Sequence, residues 1–225
     1  MGRLLVLDGL DGSGKFTQTN ILENKFGKKN VKFTRIDYPN YCSKSSALVK
    51  LYLNGEIATS VFDVNCYAAS VFFACDHYVS YLKNWKQNYD SGELILANRY
   101  VSSNAIHQMA KLAEIDWDDY LNWLYDFEFK KLGLPLYDEL IYLDLLPEIS
   151  QNLIANRNVL LSKKSDLHEQ SLNYLNKCRQ AAFYCVKKFK WNVVKCFVKK
   201  ELLSIDEVAE KIENLVENFK FFGGI

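Results

Sequence analysis

The residues best suited to chemistry lie near the start of the chain, in Asp8-Gly9-Leu10-Asp11-Gly12-Ser13-Gly14-Lys15-Phe16-Thr17. Gly9, Gly14 and Lys15 have the Gly-x4-Gly-Lys spacing of a phosphate-binding loop. The loop sits in the setting that motif needs, after an apolar run (Leu4 to Leu7) and before a helical pattern. Gly9, Gly12 and Gly14 let the backbone turn its amides inward as an anion nest. The following helix adds the positive end of its dipole, and Lys15 adds a charge for terminal phosphates. The last position of the motif is normally Ser or Thr, whose hydroxyl helps hold Mg2+. Here it is Phe16, and Thr17, one residue on, is turned about 100° around the helix.

A polyphosphate site needs further cations, and the kind of cation matters. Of 28 basic residues only five are arginine, at positions 3, 35, 99, 157 and 179. Lysine supplies a point charge, whereas arginine supplies a planar fork of donors. Each arginine in a lysine-rich chain is therefore a candidate for a specific task. The balance of 28 basic against 27 acidic residues gives a net charge of +1, which argues against a general nucleic-acid binder. No run approaches the roughly 20 apolar residues of a membrane span, and the Leu4–Leu7 run is too short for a signal sequence. The six cysteines form no Cys-x-x-Cys, and there are three histidines, so zinc is not expected. Free thiols with no export signal point to the cytoplasm.

The elements that must position these residues follow from short apolar runs alternating with longer helical patterns. Strands are expected at 3–8, 31–36, 93–98, 139–144 and 192–197. Helices are expected at 15–26, 45–54, 61–89, 101–113, 117–132, 147–157, 168–190 and 204–221. Gly27, Gly55 and Gly92 stand where C-caps belong. The alternation predicts one α/β domain over 1–225: a three-layer α/β/α sandwich with a five-stranded parallel sheet and a short lid at 158–170. Ligands then bind beyond the carboxyl ends of the strands. The 61–89 helix is apolar almost all round through Cys75, the mark of a buried helix, and delivers Asp76 and His77. These two are either a satisfied pair inside the core or the lining of a pocket. Arg35 either touches phosphate or supports the loop after the second strand. Arg179 either contacts adenine or pairs with a carboxylate, the structural role being favoured.

The ordered set of Gly9-Leu10-Asp11-Gly12-Ser13-Gly14-Lys15, Thr17-Gln18, Tyr38-Pro39, Phe73-Ala74-Cys75-Asp76, Asn98-Arg99-Tyr100, Tyr142-Leu143-Asp144 and Pro147-Glu148 resembles the thymidylate kinases over essentially the whole chain. The resemblance implies the fold of a phosphate-loop kinase and transfer of the ATP γ-phosphoryl group to dTMP, with Mg2+ as cofactor and dTTP supply as the purpose. It also implies ATP and dTMP as partners, no nucleic acid, no membrane, and a homodimer. By resemblance, Gly9 and Asp11 to Thr17 form the ATP side, with Lys15 and the amides of Gly12 to Gly14 on the phosphates. Asp11 faces the sugar 3′-hydroxyl, and Arg99 clamps the acceptor phosphate with Tyr41 nearby. Tyr38 and Pro39 shape that loop, Phe73 stacks on thymine, and Asn104 bonds its edge, with His77, Asn98 and Gln108 in the same subsite. Arg157 closes the lid over the reacting phosphates. Lys15, Arg99, Arg157 and Asp11 form the implied catalytic set.

Three positions depart from the family pattern. Phe16 replaces the hydroxyl residue, Asn98 replaces the Asp of Asp-Arg-Tyr, and His77 stands where an Arg contacts the base. The first two leave no direct metal ligand, so Mg2+ is expected on ATP phosphates and water near Asn98. Two alternatives to a thymidylate kinase follow. The changed base contact opens a kinase for another nucleoside monophosphate, and the depleted metal side opens a nucleotide-binding paralogue with weak catalysis.

Overall fold

The computed structural model describes residues 1–161, 168 and 171–219. β1 (Arg3–Gly9) is followed by α1 (Lys15–Lys28) and β2 (Phe33–Asp37). Next come α2 (Ala47–Leu53), α3 (Cys66–Ser80), α4 (Lys86–Asp90) and β3 (Leu94–Asn98). The chain continues through α5 (Val101–Met109), α6 (Trp117–Tyr125), β4 (Glu139–Asp144), α7 (Pro147–Leu161), α8 (Leu172–Phe189) and β5 (Asn192–Lys195). A small hairpin, β6 (Phe197–Val198) and β7 (Glu201–Leu202), precedes α9 (Ile205–Glu217). The five long strands form a parallel sheet in the order β2-β3-β1-β4-β5. β1 is central, so the loop after it opens at the middle of the carboxyl edge.

Alternation along the strands builds the two cores. Leu4 and Val6 pack with α2, α3, α5, α6 and α8, whereas Leu5 and Leu7 face the opposite way with Leu22 and Phe26 of α1 and Val208 and Ile212 of α9. This is the expected three-layer arrangement.

Several boundaries differ from expectation. The 61–89 helix begins at Cys66, because the Asn65 carboxamide oxygen accepts from the amides of Tyr67 and Ala68 and caps it. It is not buried all round, since Tyr67, Val71 and Tyr78 are exposed. It also passes into a π-helical turn, Tyr81–Trp85. The helix expected at 117–132 likewise changes to a π-helical turn, Asp126–Lys131. Gly27 lies inside α1 rather than at its cap, and the left-handed residue after that helix is Asn30. Gly55 and Gly92 take positive φ after α2 and α4, as capping requires. The hairpin β6–β7 was not expected. Of the expected lid, 158–161 continue α7 and His168 is buried; 162–167, 169 and 170 lie outside the described residues.

Candidate active site

The loop after β1 is shaped by steric demand. Gly9 has φ 154°, and a Cβ there would come within 2.6 Å of the Leu143 carbonyl oxygen, so no larger residue fits. Gly14 enters α1 at φ 84° with no side chain capping the helix, which leaves its first amides open to an anion. Lys15 folds back over the loop, donating from Nζ to the carbonyl oxygens of Gly9 (3.0 Å) and Leu10 (2.7 Å). Burial and the neighbouring Arg99 guanidinium push Lys15 down to about 7 from the ordinary 10.5. Ser13 Oγ is buried with no partner among the described residues. Asp8, beneath the loop, is saturated by the Gly9 amide and the hydroxyls of Ser102 and Ser103.

Arg99 follows β3 in a left-handed conformation, φ 67°, held by a bond from its amide to the Leu7 carbonyl. Such strain persists only where the surroundings impose it. Its guanidinium donates to Ser103 Oγ at 2.9 Å and Asp11 Oδ1 at 2.5 Å. Burial raises the Asp11 carboxyl, but Arg99 and then Lys15 outweigh it and hold Asp11 well below the usual carboxylate range.

Two cavities meet at this pair. The smaller, about 500 Å³, is bounded by Tyr38, Pro39, Tyr41, Phe73, His77, Asn104 and Gln108, besides Asp11 and Arg99. The larger, about 1470 Å³, runs over Gly12 to Gln18 and beneath Arg157 of α7, with Asn98 in its floor. Its far wall is Leu202 to Ile205, supplied by the hairpin and the start of α9. Asp11 and Arg99 line both cavities.

Within the smaller cleft, Tyr38 is buried and its hydroxyl is committed, accepting from Trp85 Nε1 at 3.1 Å. Tyr41 stands half exposed. The Phe73 ring is edge-on to Tyr52. Gln108 is fully buried with both amide atoms unpartnered among the described residues, and so is Asn104 Oδ1. Groups of this kind are expensive to leave dry and mark a surface built for a ligand. Asp76 and His77 do not pair with each other. Asp76 accepts from the Asn40 amide (2.8 Å) and Ser45 Oγ (2.5 Å), whereas His77 lines the cleft.

The sequence did not reveal His107, which lines the cleft and is pushed down to about 3 by burial and Arg99, nor Glu128, which bonds both His77 and Asn104. Glu128 falls in phase with the buried stripe of Trp117, Tyr120, Leu121 and Leu124, the signal that could have found it, whereas α5 is buried almost all round and no spacing singles out His107.

On the side of the larger cavity, Phe16 is exposed with the Arg35 guanidinium 5.0 Å above its ring. Arg35 is engaged by Asn20, Glu23 and Asp37, so it braces the end of β2 instead of facing the cavity. Arg179 makes a two-point ion pair with buried Asp144 at 2.7 and 3.0 Å. Asn98 donates to Asp37 Oδ1 at 2.8 Å, and its own Oδ1 is buried without a partner among the described residues. No group of three or more acidic, His or Cys side chains able to hold a metal occurs among the described residues.

A family model described as thymidylate kinase matches residues 7–212. The thymidylate kinase of Mycobacterium tuberculosis is 28% identical over 153 residues, 65% of this chain and 68% of that one. That of Caenorhabditis elegans is 26% identical over 158 residues, 66% of each. A solved thymidylate kinase from Candida albicans, described as having broad substrate specificity, is similar in fold. Its TM-score is 0.68 at 21% identity, covering 96% of this chain and 91% of that one. The family match runs from inside β1 to inside α9, and on that ground the chain belongs to the thymidylate kinase family.

Proposed function

We propose that this chain transfers the γ-phosphoryl group of ATP to dTMP, yielding ADP and dTDP and so supplying dTTP for DNA synthesis. The observation that carries the reading is the wall shared by the two cavities. Two polyanions must be brought together for phosphoryl transfer, and a cationic fork between them lowers that barrier. Arg99 stands in that wall.

ATP lies in the larger groove, its phosphates on the amides of Gly12 to Gly14 and on Lys15, with Phe16 and Thr17 beside them. Arg157, reaching from α7, adds a second fork over the transferred group. dTMP lies in the smaller cleft. Arg99 grips its phosphate near Tyr41, and Tyr38 and Pro39 wall that end. Phe73 offers a face to the base, while Gln108, Asn104 and His77 meet its polar edge. Asp11 takes the sugar hydroxyl while it orients Arg99.

The groove fits Mg2+ carried on the ATP phosphates, and Asn98, whose Oδ1 is unpartnered among the described residues, would hold it through water. When bound, it neutralises charge on the β- and γ-phosphates. The exposed apolar residues Tyr67, Val71 and Tyr78 of α3 are the face a second copy would cover, and sedimentation at several concentrations tests that dimer. A reducing cytoplasm suits the six free thiols.

The functional reading is tested by ADP release from ATP and Mg2+ with a panel of monophosphates. Turnover with dTMP well above dUMP, dGMP and dCMP is expected. Preference for another monophosphate would reassign the acceptor, and nucleotide-dependent thermal stabilisation without turnover would leave a binding protein.

A further inference from the structure

The buried carboxylate of Glu128 has no role in the reading above, yet it touches both polar groups at the base end of the cleft. Glu128 is fully buried in the π-helical turn Asp126–Lys131. Such turns recur at functional sites, and Glu128 continues the buried face of Tyr120 and Leu124. Here Asp126, Lys130 and Lys131 remain partly or fully outside while Glu128 turns in. Its Oε2 lies 2.6 Å from His77 Nδ1, and its Oε1 accepts from Asn104 Nδ2 at 3.1 Å.

We propose that Glu128 is a positioning residue that sets the donor and acceptor polarity of the base subsite, so that His77 and Asn104 together read a carbonyl beside an N–H. This rests on the assignment of dTMP to the smaller cleft. A carboxylate only accepts, so His77 must donate from Nδ1 and Asn104 from Nδ2. Asn104 cannot turn its amide around, because Nδ2 also donates to the Ser70 carbonyl oxygen at 3.1 Å. Its unpartnered Oδ1 is then an acceptor by necessity. His77 is left with Nε2, which has no hydrogen-bond partner among the described residues, on a ring that lines the cleft. To donate to a base carbonyl as well as to Glu128, the ring needs a proton on each nitrogen, and that is the state the proposal requires of the dTMP complex. In that state Glu128 is the counter-ion at 2.6 Å.

The resulting pair, acceptor on Asn104 and donor on His77, matches the N3–H and O4 of thymine. Cytosine presents the reverse, an acceptor nitrogen beside an amino group, and meets like against like at Asn104 Oδ1, and at His77 wherever Nε2 keeps its proton. Selection against the amino base is thus written into one carboxylate that never reaches the substrate.

Calorimetric binding of dTMP and dCMP to the wild type, Glu128→Met and Glu128→Gln tests this, with ATP affinity measured alongside. Met fills similar space but bonds to neither neighbour. It should reduce the dTMP-to-dCMP affinity ratio about tenfold or more, with ATP affinity unchanged. Gln accepts from Asn104 and donates to His77 Nδ1, which shifts the His77 proton to Nε2 and keeps that donor; its ratio should stay near the wild type. Nitrogen-15 spectra of the dTMP complexes should show His77 protonated on both nitrogens in the wild type and on Nε2 alone in Glu128→Gln. A wild-type complex with unprotonated Nε2, or an unaltered ratio in Glu128→Met, overturns the proposal. If Glu128→Met does not fold, the two spectra decide. Binding is read separately from turnover: absence of ADP release would sink the kinase reading, while the binding ratio still tests Glu128.

Discussion

Lys15 should take up a proton when ATP binds. In the unliganded protein its ammonium sits near 7, down from 10.5, because it is buried with Arg99 beside it. That displacement corresponds to about 5 kcal/mol of lost solvation and repulsion. Below pH 7 Lys15 is charged in both folded and unfolded chains. Between about 7 and 10.5 the unfolded chain holds a proton that the folded one has released. Stability of the unliganded protein therefore rises with pH across that window through this group, and its contribution is lost below pH 7. Polyphosphate reverses the balance by supplying the counter-charge, so the bound form keeps the proton. The expected uptake per ATP is about 0.1 proton at pH 6, about 0.5 at pH 7 and about 0.9 at pH 8. Affinity should fall by up to about tenfold per pH unit above 8. Calorimetric titration of ATP at pH 8, in buffers of different ionisation heat, reads the uptake directly. Lys15→Arg keeps the charge but has no proton to recover, so its uptake should vanish. Wild-type uptake below about 0.2 proton at pH 8, or equal uptake in Lys15→Arg, would refute the account of Lys15.

Other outcomes follow from the same geometry. Arg99→Lys keeps a cation but cannot span Asp11, Ser103 and a phosphate together, and should lower kcat/KM for dTMP about 100-fold or more. Gln108→Leu removes two buried unpartnered atoms; it should raise the unfolding free energy by about 1–2 kcal/mol while raising the KM for dTMP, as thermal melts and steady-state rates would show. Arg179→Ala strands the buried Asp144 carboxylate and should cost about 2–4 kcal/mol in denaturant unfolding, with kcat little changed. Asn98→Asp alone sets a carboxylate against Asp37, so the informative variant is Asn98→Asp with Asp37→Asn. If the missing charge limits the metal site, its kcat rises, and an unchanged kcat removes that idea.

The phosphate loop was legible because its chemistry is local: Gly9, Gly14 and Lys15 act within a few residues of one another, and β1 and α1 announce themselves on either side. The parallel sheet followed from the alternation of short apolar runs with helical patterns. Arg99 was found through its neighbours Asn98 and Tyr100, but its strained backbone and its bond to Asp11 depend on the β1–β3 pairing. Glu128 escaped notice because it reads as one more charge among Asp126, Lys130 and Lys131. Its place is nevertheless in phase with the buried stripe of Trp117, Tyr120, Leu121 and Leu124, so the spacing was there and the charge hid it. The hairpin at 197–202 was missed for a different reason. Four strand residues are too few to show a period, and positive φ at Lys199 and Lys200 was carried without glycine.

The Arg99–Asp11 pair means that the guanidinium is never a bare charge. An arriving phosphate does not fall into an empty electrostatic well; it must share the guanidinium with a carboxylate already seated 2.5 Å away. The net gain is reduced by repulsion from Asp11, so a small singly charged anion gains little. A dianionic monophosphate anchored by its base has two advantages: greater charge and a second point of attachment. Chloride and other common ions of the cell are thus kept off the wall between the two cavities without any gate, by a resident carboxylate that only a doubly charged, doubly anchored ligand outweighs.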